Sequence, residues 1–210
     1  MSRPVIIAIA VEDDLSEAVL RSIIVRYNLP LSVSACYGKK GIGYLKQKIG
    51  GFNNAAKGMP FFILADLDMA ECPPLLVKEW LPAPSHNNLL FRIAVREVEA
   101  WLLADRKGFS KFLGLNLNRI PVYPDELRDP KNTLIQLSKR CRKRAIRSAI
   151  VPEPSSTARI GPEYNAILSE FVNFRWNPED ARKSSPSLDR TINKISDFRP
   201  VWPQENHADQ

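Results

Sequence analysis

The sequence predicts an α/β fold in which a parallel sheet is flanked by helices and followed by a helical extension. Apolar runs at Pro4–Val11, Pro60–Leu67 and Leu89–Val95 are continuous rather than alternating, as strands covered on both faces require. Stretches with apolar residues at helical spacing separate them, and strand–helix alternation favours parallel pairing of the doubly wound kind. With 44% hydrophobic residues the chain can bury the core such a sheet needs.

Taken in order, Pro4–Val11 is the first strand, rich in β-branched residues. Leu15–Tyr27 follows as a helix whose Leu15, Val19, Leu20, Ile23 and Ile24 share one face. Leu31–Tyr37 is the second strand, and the turn GKKGIG (Gly38–Gly43) leads to a helix from Gly43 to Ile49. Pro60–Leu67 is the third strand and the most hydrophobic; Leu89–Val95 is the fourth. Beyond Arg96 the pattern turns helical: Glu97–Ala104, a short turn at Phe109–Leu113, a proline loop at Ile120–Pro130, and a strongly basic helix over Asn132–Ile150. Pro162–Phe174 and Pro178–Ile195 read as further helices. The expected organisation is an α/β domain over 1–115, a helical extension over 116–195 packed on it, and a loosely held tail over 196–210. Trp80, Trp101, Trp176 and Trp202 read as core or core-covering residues.

Several classes of function are disfavoured. Cys36, Cys72 and Cys141 are too scattered for a disulfide framework or a CxxC site, which points to a reducing compartment. Two histidines, His86 and His207, leave little for imidazole chemistry or zinc. The first apolar run is too short for a signal-peptide core, and no stretch approaches the ~20 apolar residues that span a bilayer. The expected location is cytoplasmic, with no membrane partner. GKKGIGYLKQK (Gly38–Lys48) lacks the spacing of a P-loop and reads as a turn with exposed lysines. The net charge of +7 suits a polyanionic partner such as nucleic acid.

Acids collect where an open parallel sheet carries its functional groups, beyond the carboxyl ends of the strands. Glu12, Asp13, Asp14 and Glu17 follow the first strand; Asp66, Asp68 and Glu71 follow the third. If those strands are neighbours the two sets converge. Asp66 and Asp68, two apart on extended chain, would share a face. Four carboxylates about 5–6 Å apart would repel by roughly 3 kcal/mol per pair at an effective dielectric of 20. A converged cluster must therefore take up protons, disperse into solvent or hold a divalent cation. All-oxygen ligands favour Mg2+ or Mn2+ over zinc. The plain alternative for Asp13, Asp14 and Glu17 is that they complement a helix N-terminus, worth up to about 1 kcal/mol each.

Two family resemblances attach to these residues. Val11-Glu12 with Asp66-Leu67-Asp68 resembles the Toprim fold, a Rossmann-like metal-binding module of topoisomerases, primases and OLD-family nucleases. RIAVREVEAWLLADRKGF (Arg92–Phe109) is similar to a block in stand-alone Toprim-related proteins, with weaker echoes in IGPEYNAILSEFV (Ile160–Val172) and WNPEDARKSSPSLDR (Trp176–Arg190). One departure is Asp13, where the family usually has glycine; another is Glu17, one residue later than the family's acid. The resemblance implies a Toprim-like nuclease in which Glu12, Asp66 and Asp68 hold Mg2+ or Mn2+ for phosphodiester cleavage. Glu12 would double as general base or acid, and Glu17, Glu71, Glu97 and Glu99 would be further ligands. It also implies a separate OLD- or SMC-like ATPase partner and a role in defence against phage or plasmids. The alternative within the same fold is a non-catalytic binding subunit of such an ATPase. VEDD with DLDM also resembles receiver domains of two-component signalling, though the 53 residues from Asp13 to Asp66 exceed a receiver's spacing.

Glu97 and Glu99 fall about 200° apart on a helix, so one ion would not take both, and Glu99 could instead pair with Arg96. KRCRKRAIR (Lys139–Arg147) supplies Lys139, Arg140, Arg142, Lys143, Arg144 and Arg147 as candidate phosphate contacts. The plain alternative for that run is a solvated helix or a docking site for an acidic partner. Lys131 and Arg159 are the single basic residues expected to neutralise transition-state charge, Lys131 as a catalytic residue and Arg159 also as a nucleic-acid contact.

Overall fold

The computed structural model describes residues 3–202, so His207 and the end of the expected tail lie outside the described residues. Four strands, β1 (Val5–Val11), β2 (Leu31–Gly38), β3 (Phe61–Asp66) and β4 (Leu89–Ala94), form one all-parallel sheet in the order β2-β1-β3-β4. The α/β Rossmann-like reading of the sequence holds. Helix α1 (Asp14–Arg26) joins β1 to β2, and α2 (Ile42–Ala55) carries the chain back across β1 to β3. The strand order therefore reverses direction between β1 and β3. That reversal opens a crevice at their carboxyl ends.

Successive side chains of a strand face opposite sides, and the two faces have separate cores. Ile7, Ile9 and Val11 of β1 join Phe62 and Leu64 of β3 on one face, under α1. Ala8 and Ala10 with Phe61, Ile63 and Ala65 face the other side, under Leu45, Ile49 and Phe52 of α2 and Leu76 and Trp80 of α3 (Pro73–Trp80). Small alanines on β1 make room there for the stacked rings of Phe52 and Phe61. The first face is also covered by α4 (Val98–Ala104), α5 (Arg106–Leu113), α6 (Pro130–Ser138), α7 (Arg144–Ile150), α8 (Tyr164–Phe174), α9 (Pro178–Ala181) and α10 (Pro186–Ser196). Trp101 and Trp176 are fully buried in this layer, and Phe171 of α8 packs edge-on to Phe109 of α5. One continuous core thus runs from β1 through α10, so the helical extension buries its apolar residues in the same core as the sheet. No helix among the described residues is long and apolar enough to cross a membrane.

Several elements differ from expectation. The basic helix expected over 132–150 is two helices, interrupted at Lys139–Lys143, because Cys141 is pulled into the core. The interruption is held by side chains: Arg147 Nη1 donates to the Cys141 carbonyl at 3.0 Å. The expected helix over 178–195 also breaks. Ser185 precedes Pro186 and is extended (φ −131°, ψ 98°), as a residue before proline prefers, and its Oγ caps α10 by accepting the Leu188 N–H. The turn expected at Phe109–Leu113 is the end of the longer α5, and α3 was not foreseen. The start of the tail is tied down: the Asn88 side chain brackets Val201 with two hydrogen bonds, of 2.8 and 2.7 Å, and Phe198 packs edge-on to Phe62. Trp202, in contrast, is exposed.

Candidate functional site

The crevice at the β1/β3 switch point is acidic. Glu12 directly follows β1 and Asp66 ends β3; the Asp66 N–H donates to Glu12 Oε1 at 2.7 Å, so the two strand ends are joined through these acids. Asp66 is buried, and its Oδ1 accepts the Val98 N–H at 3.0 Å, at the start of α4. Burial raises Asp66 well above the usual carboxylate range, and the Glu99 and Glu12 charges add to the rise. Burial also lifts Glu12 to about 7; the Asp66 N–H opposes that, and the Asp68 and Asp13 charges reinforce it.

Asp68 does not share the face of Asp66. The chain leaves β3 after Asp66, and Asp68 is exposed in a left-handed turn (φ 47°). Arg96 clamps that turn, Nη1 donating to the Asp68 and Ala70 carbonyls at 2.9 and 2.7 Å, while the Arg96 carbonyl accepts the Asp68 N–H. Arg96 is thereby spent on the Asp68 turn, and the expected pairing with Glu99 is replaced.

A cleft of about 670 Å3 lies beside these acids, with Asp13, Asp68, Glu97, Asp129, Lys131, Arg159 and Tyr164 in its wall. Both basic residues singled out from sequence, Lys131 and Arg159, line it. Lys131 lies in the first turn of α6, and its Nζ stands 3.6 Å from both Glu97 and Glu99. The expectation that these two glutamates point apart fails for a local reason: Glu97 is the extended residue before α4 (φ −142°, ψ 157°), so helical spacing does not apply to it. Its Oε2 also accepts the Lys131 N–H at 2.8 Å. Glu99 is buried, takes a 2.8 Å hydrogen bond from the Tyr164 hydroxyl on Oε1, and has no hydrogen-bond partner on Oε2. Burial raises Glu99 to about 7 against the pull of Lys131. Burial works against the Lys131 ammonium, but Glu99 and Glu97 outweigh it and hold its pKa above the ordinary lysine value.

Other candidates lie elsewhere. Glu17 is paired with Lys39 at 2.5 Å and Arg21 at 2.7 Å; burial opposes, but these cations hold its pKa below the ordinary value. Its charge is committed on the β2 side. Lys39 reaches it through a turn that requires Gly38 (φ +100°), where a Cβ would sit 2.0 Å from the Val11 carbonyl oxygen. Asp13 caps α1, accepting the Ser16 N–H at 2.8 Å, which is the plain role weighed for it. Glu71 is exposed and outside the walls of the cleft. In the basic run, Lys143 Nζ donates to the Phe112 and Lys111 carbonyls at the end of α5, so Lys143 and Arg147 serve the chain's own carbonyls. Lys139, Arg140, Arg142 and Arg144 are exposed. Sequence reasoning missed Tyr164 and Asp129 as cleft residues. Asp129-Pro130 had a signal, an N-cap acid before a proline at N1, whereas nothing local marked Tyr164.

The donor set fits the divalent cation that the resemblance implies. All candidate groups are carboxylates, burial pushes Glu12, Asp66 and Glu99 above the usual carboxylate range, and Glu99 Oε2 is a buried acceptor with no donor. As the side chains stand, no three acid, cysteine or histidine groups among the described residues converge on one point. Fold and site together define a Rossmann-like α/β protein with an acidic cleft at its switch point. No family model, curated protein or solved structure matches the chain.

Proposed function

We propose that this protein is a Toprim-like, Mg2+- or Mn2+-dependent nuclease acting on nucleic acid. The observation that supports it best is the direct Glu12–Asp66 link across the switch point, with Asp68 in the adjacent cleft wall. Glu12, Asp66 and Asp68 would hold the cation, which when bound supplies charge stabilisation and an activated water. Glu12, lifted to about 7, can exchange a proton near neutral pH, as a general base or acid must. Lys131 and Arg159 present positive charge to a phosphate in the cleft, and Arg96 fixes the turn that carries Asp68. The same resemblance supports a separate OLD- or SMC-like ATPase partner and a role in phage or plasmid defence.

The test is incubation of the purified protein, alone and with a co-expressed ATPase, with plasmid and single-stranded DNA and RNA in magnesium or manganese. Cleavage that disappears in Asp66→Asn and Glu12→Gln supports the reading; intact binding with no cleavage in either metal removes it. A second reading, a binding subunit without chemistry, draws on Lys131, whose ammonium already neutralises part of the acid cluster. Receiver-like phosphorylation would show as acetyl-phosphate labelling of Asp66.

A further inference from the structure

We propose that a second, basic groove outside the acidic cleft binds the phosphate backbone of nucleic acid without reading its bases, through Arg119, Arg140 and Arg142. The inference rests on the nucleic-acid substrate proposed above. The groove has a volume of about 680 Å3 and is walled by Gly114, Leu115, Asn116 and these three arginines. Three segments build it. Gly114 ends α5 in the left-handed conformation (φ 67°) and turns the chain toward a short 3-10 turn at Leu117–Arg119. Opposite, the interruption between α6 and α7 buries Cys141 and leaves its neighbours Arg140 and Arg142 facing outward. Lys143 holds the two walls together through the last carbonyls of α5.

The chemistry of the wall selects the ligand. None of the three guanidinium groups takes part in a hydrogen bond or ion pair among the described residues, and no carboxylate lines the groove. Unpaired guanidinium forks match phosphate oxygens two at a time. No aromatic side chain is in the wall, so bases have no stacking platform and contact falls on the backbone. Helix α6 links the two sites: Lys131 lies in the cleft at its start, and Arg140 is two residues past its end. At 1.5 Å per residue the separation is about 14 Å.

The experiment is fluorescence anisotropy of a labelled duplex and a labelled single strand, titrated with KCl in EDTA, using the Asp66→Asn chain so that no cleavage intervenes. Replacing all three with glutamine (R119Q/R140Q/R142Q) should flatten the log–log salt slope by about 2.7 for duplex or about 2.1 for single strand. Lysine at the three positions should restore most of that slope. A control that removes the same charge from exposed Lys48, Lys57 and Lys78 should leave it near the original value. The proposal is overturned if the glutamine variant keeps its slope, or if the control loses as much. It is also overturned if pyrophosphate competes as well as oligonucleotide at equal phosphate concentration, which would mark a free-phosphate site. With the unmodified chain in magnesium or manganese, no cleavage while groove binding is intact removes the nuclease reading alone; cleavage that persists while groove binding is absent removes this inference alone.

Discussion

Replacing Glu12 with glutamine should make the metal-free protein more stable at pH 8 and leave it unchanged near pH 4.5. Glutamine keeps an oxygen to accept the Asp66 N–H but carries no charge to bury. Burial, reinforced by the Asp68 and Asp13 charges and opposed by the Asp66 N–H, lifts Glu12 from 4.5 to about 7. The folded protein therefore holds a proton on Glu12 that the unfolded chain releases between those two values. Where the folded state binds more protons, stability falls as pH rises. The contribution is fully present below about 4.5 and is lost as pH climbs through about 7. At 1.36 kcal/mol per pH unit the interval amounts to about 3 kcal/mol. Solvent reaching the half-buried side chain reduces this to about 2 kcal/mol. For a chain of this size that corresponds to a melting temperature about 4–8 °C higher for Glu12→Gln at pH 8. Thermal unfolding by circular dichroism in EDTA at pH 4.5, 6 and 8 reads it directly. Equal gains at every pH, or no gain at pH 8, would refute the placement of Glu12 in a buried acidic crevice. Added magnesium should raise the melting temperature of the unmodified chain and leave Glu12→Gln almost unmoved.

Lys131→Met should destabilise the protein by about 1–3 kcal/mol at pH 8 in urea unfolding, because it strands the buried Glu99 charge. The loss should shrink at pH 5, where Glu99, lifted to about 7, is protonated, and Glu99→Gln in the same chain should recover most of it. Gly38→Ala should cost at least about 1–3 kcal/mol in the same measurement, since φ +100° and a 2.0 Å contact with the Val11 carbonyl leave no room for a methyl group. Asp13→Ala should cost about 1 kcal/mol through loss of the α1 cap while leaving the metal-dependent cleavage proposed above within a few-fold of the unmodified chain's. A collapse of cleavage on Asp13→Ala would make Asp13 a ligand rather than a cap.

Local chemistry made the sheet legible. β-branched and aromatic runs gave all four strands to within about a residue or two at each end, and acids after β1 and β3 marked the crevice. Where a helix ends against tertiary burial, the same reading failed. Cys141 sinks into the core and divides a basic stretch whose own propensity runs through it unbroken. Helical spacing also misled at Glu97, because one extended residue before α4 swings its carboxylate toward Lys131.

By itself the sequence determined the four strands and their parallel sheet, and the position of Glu12 and Asp66 at strand ends, since periodicity and strand-end chemistry are properties of neighbours along the chain. Only the tertiary structure decided which charges meet. It set Lys131 and Tyr164 against Glu99, sent Glu17 to Lys39, and gathered Arg119 with Arg140 and Arg142. The physical reason is range: these partners are distant in sequence or separated by turns, and their meeting depends on how α4, α6 and α8 pack on the sheet. No local pattern encodes that packing.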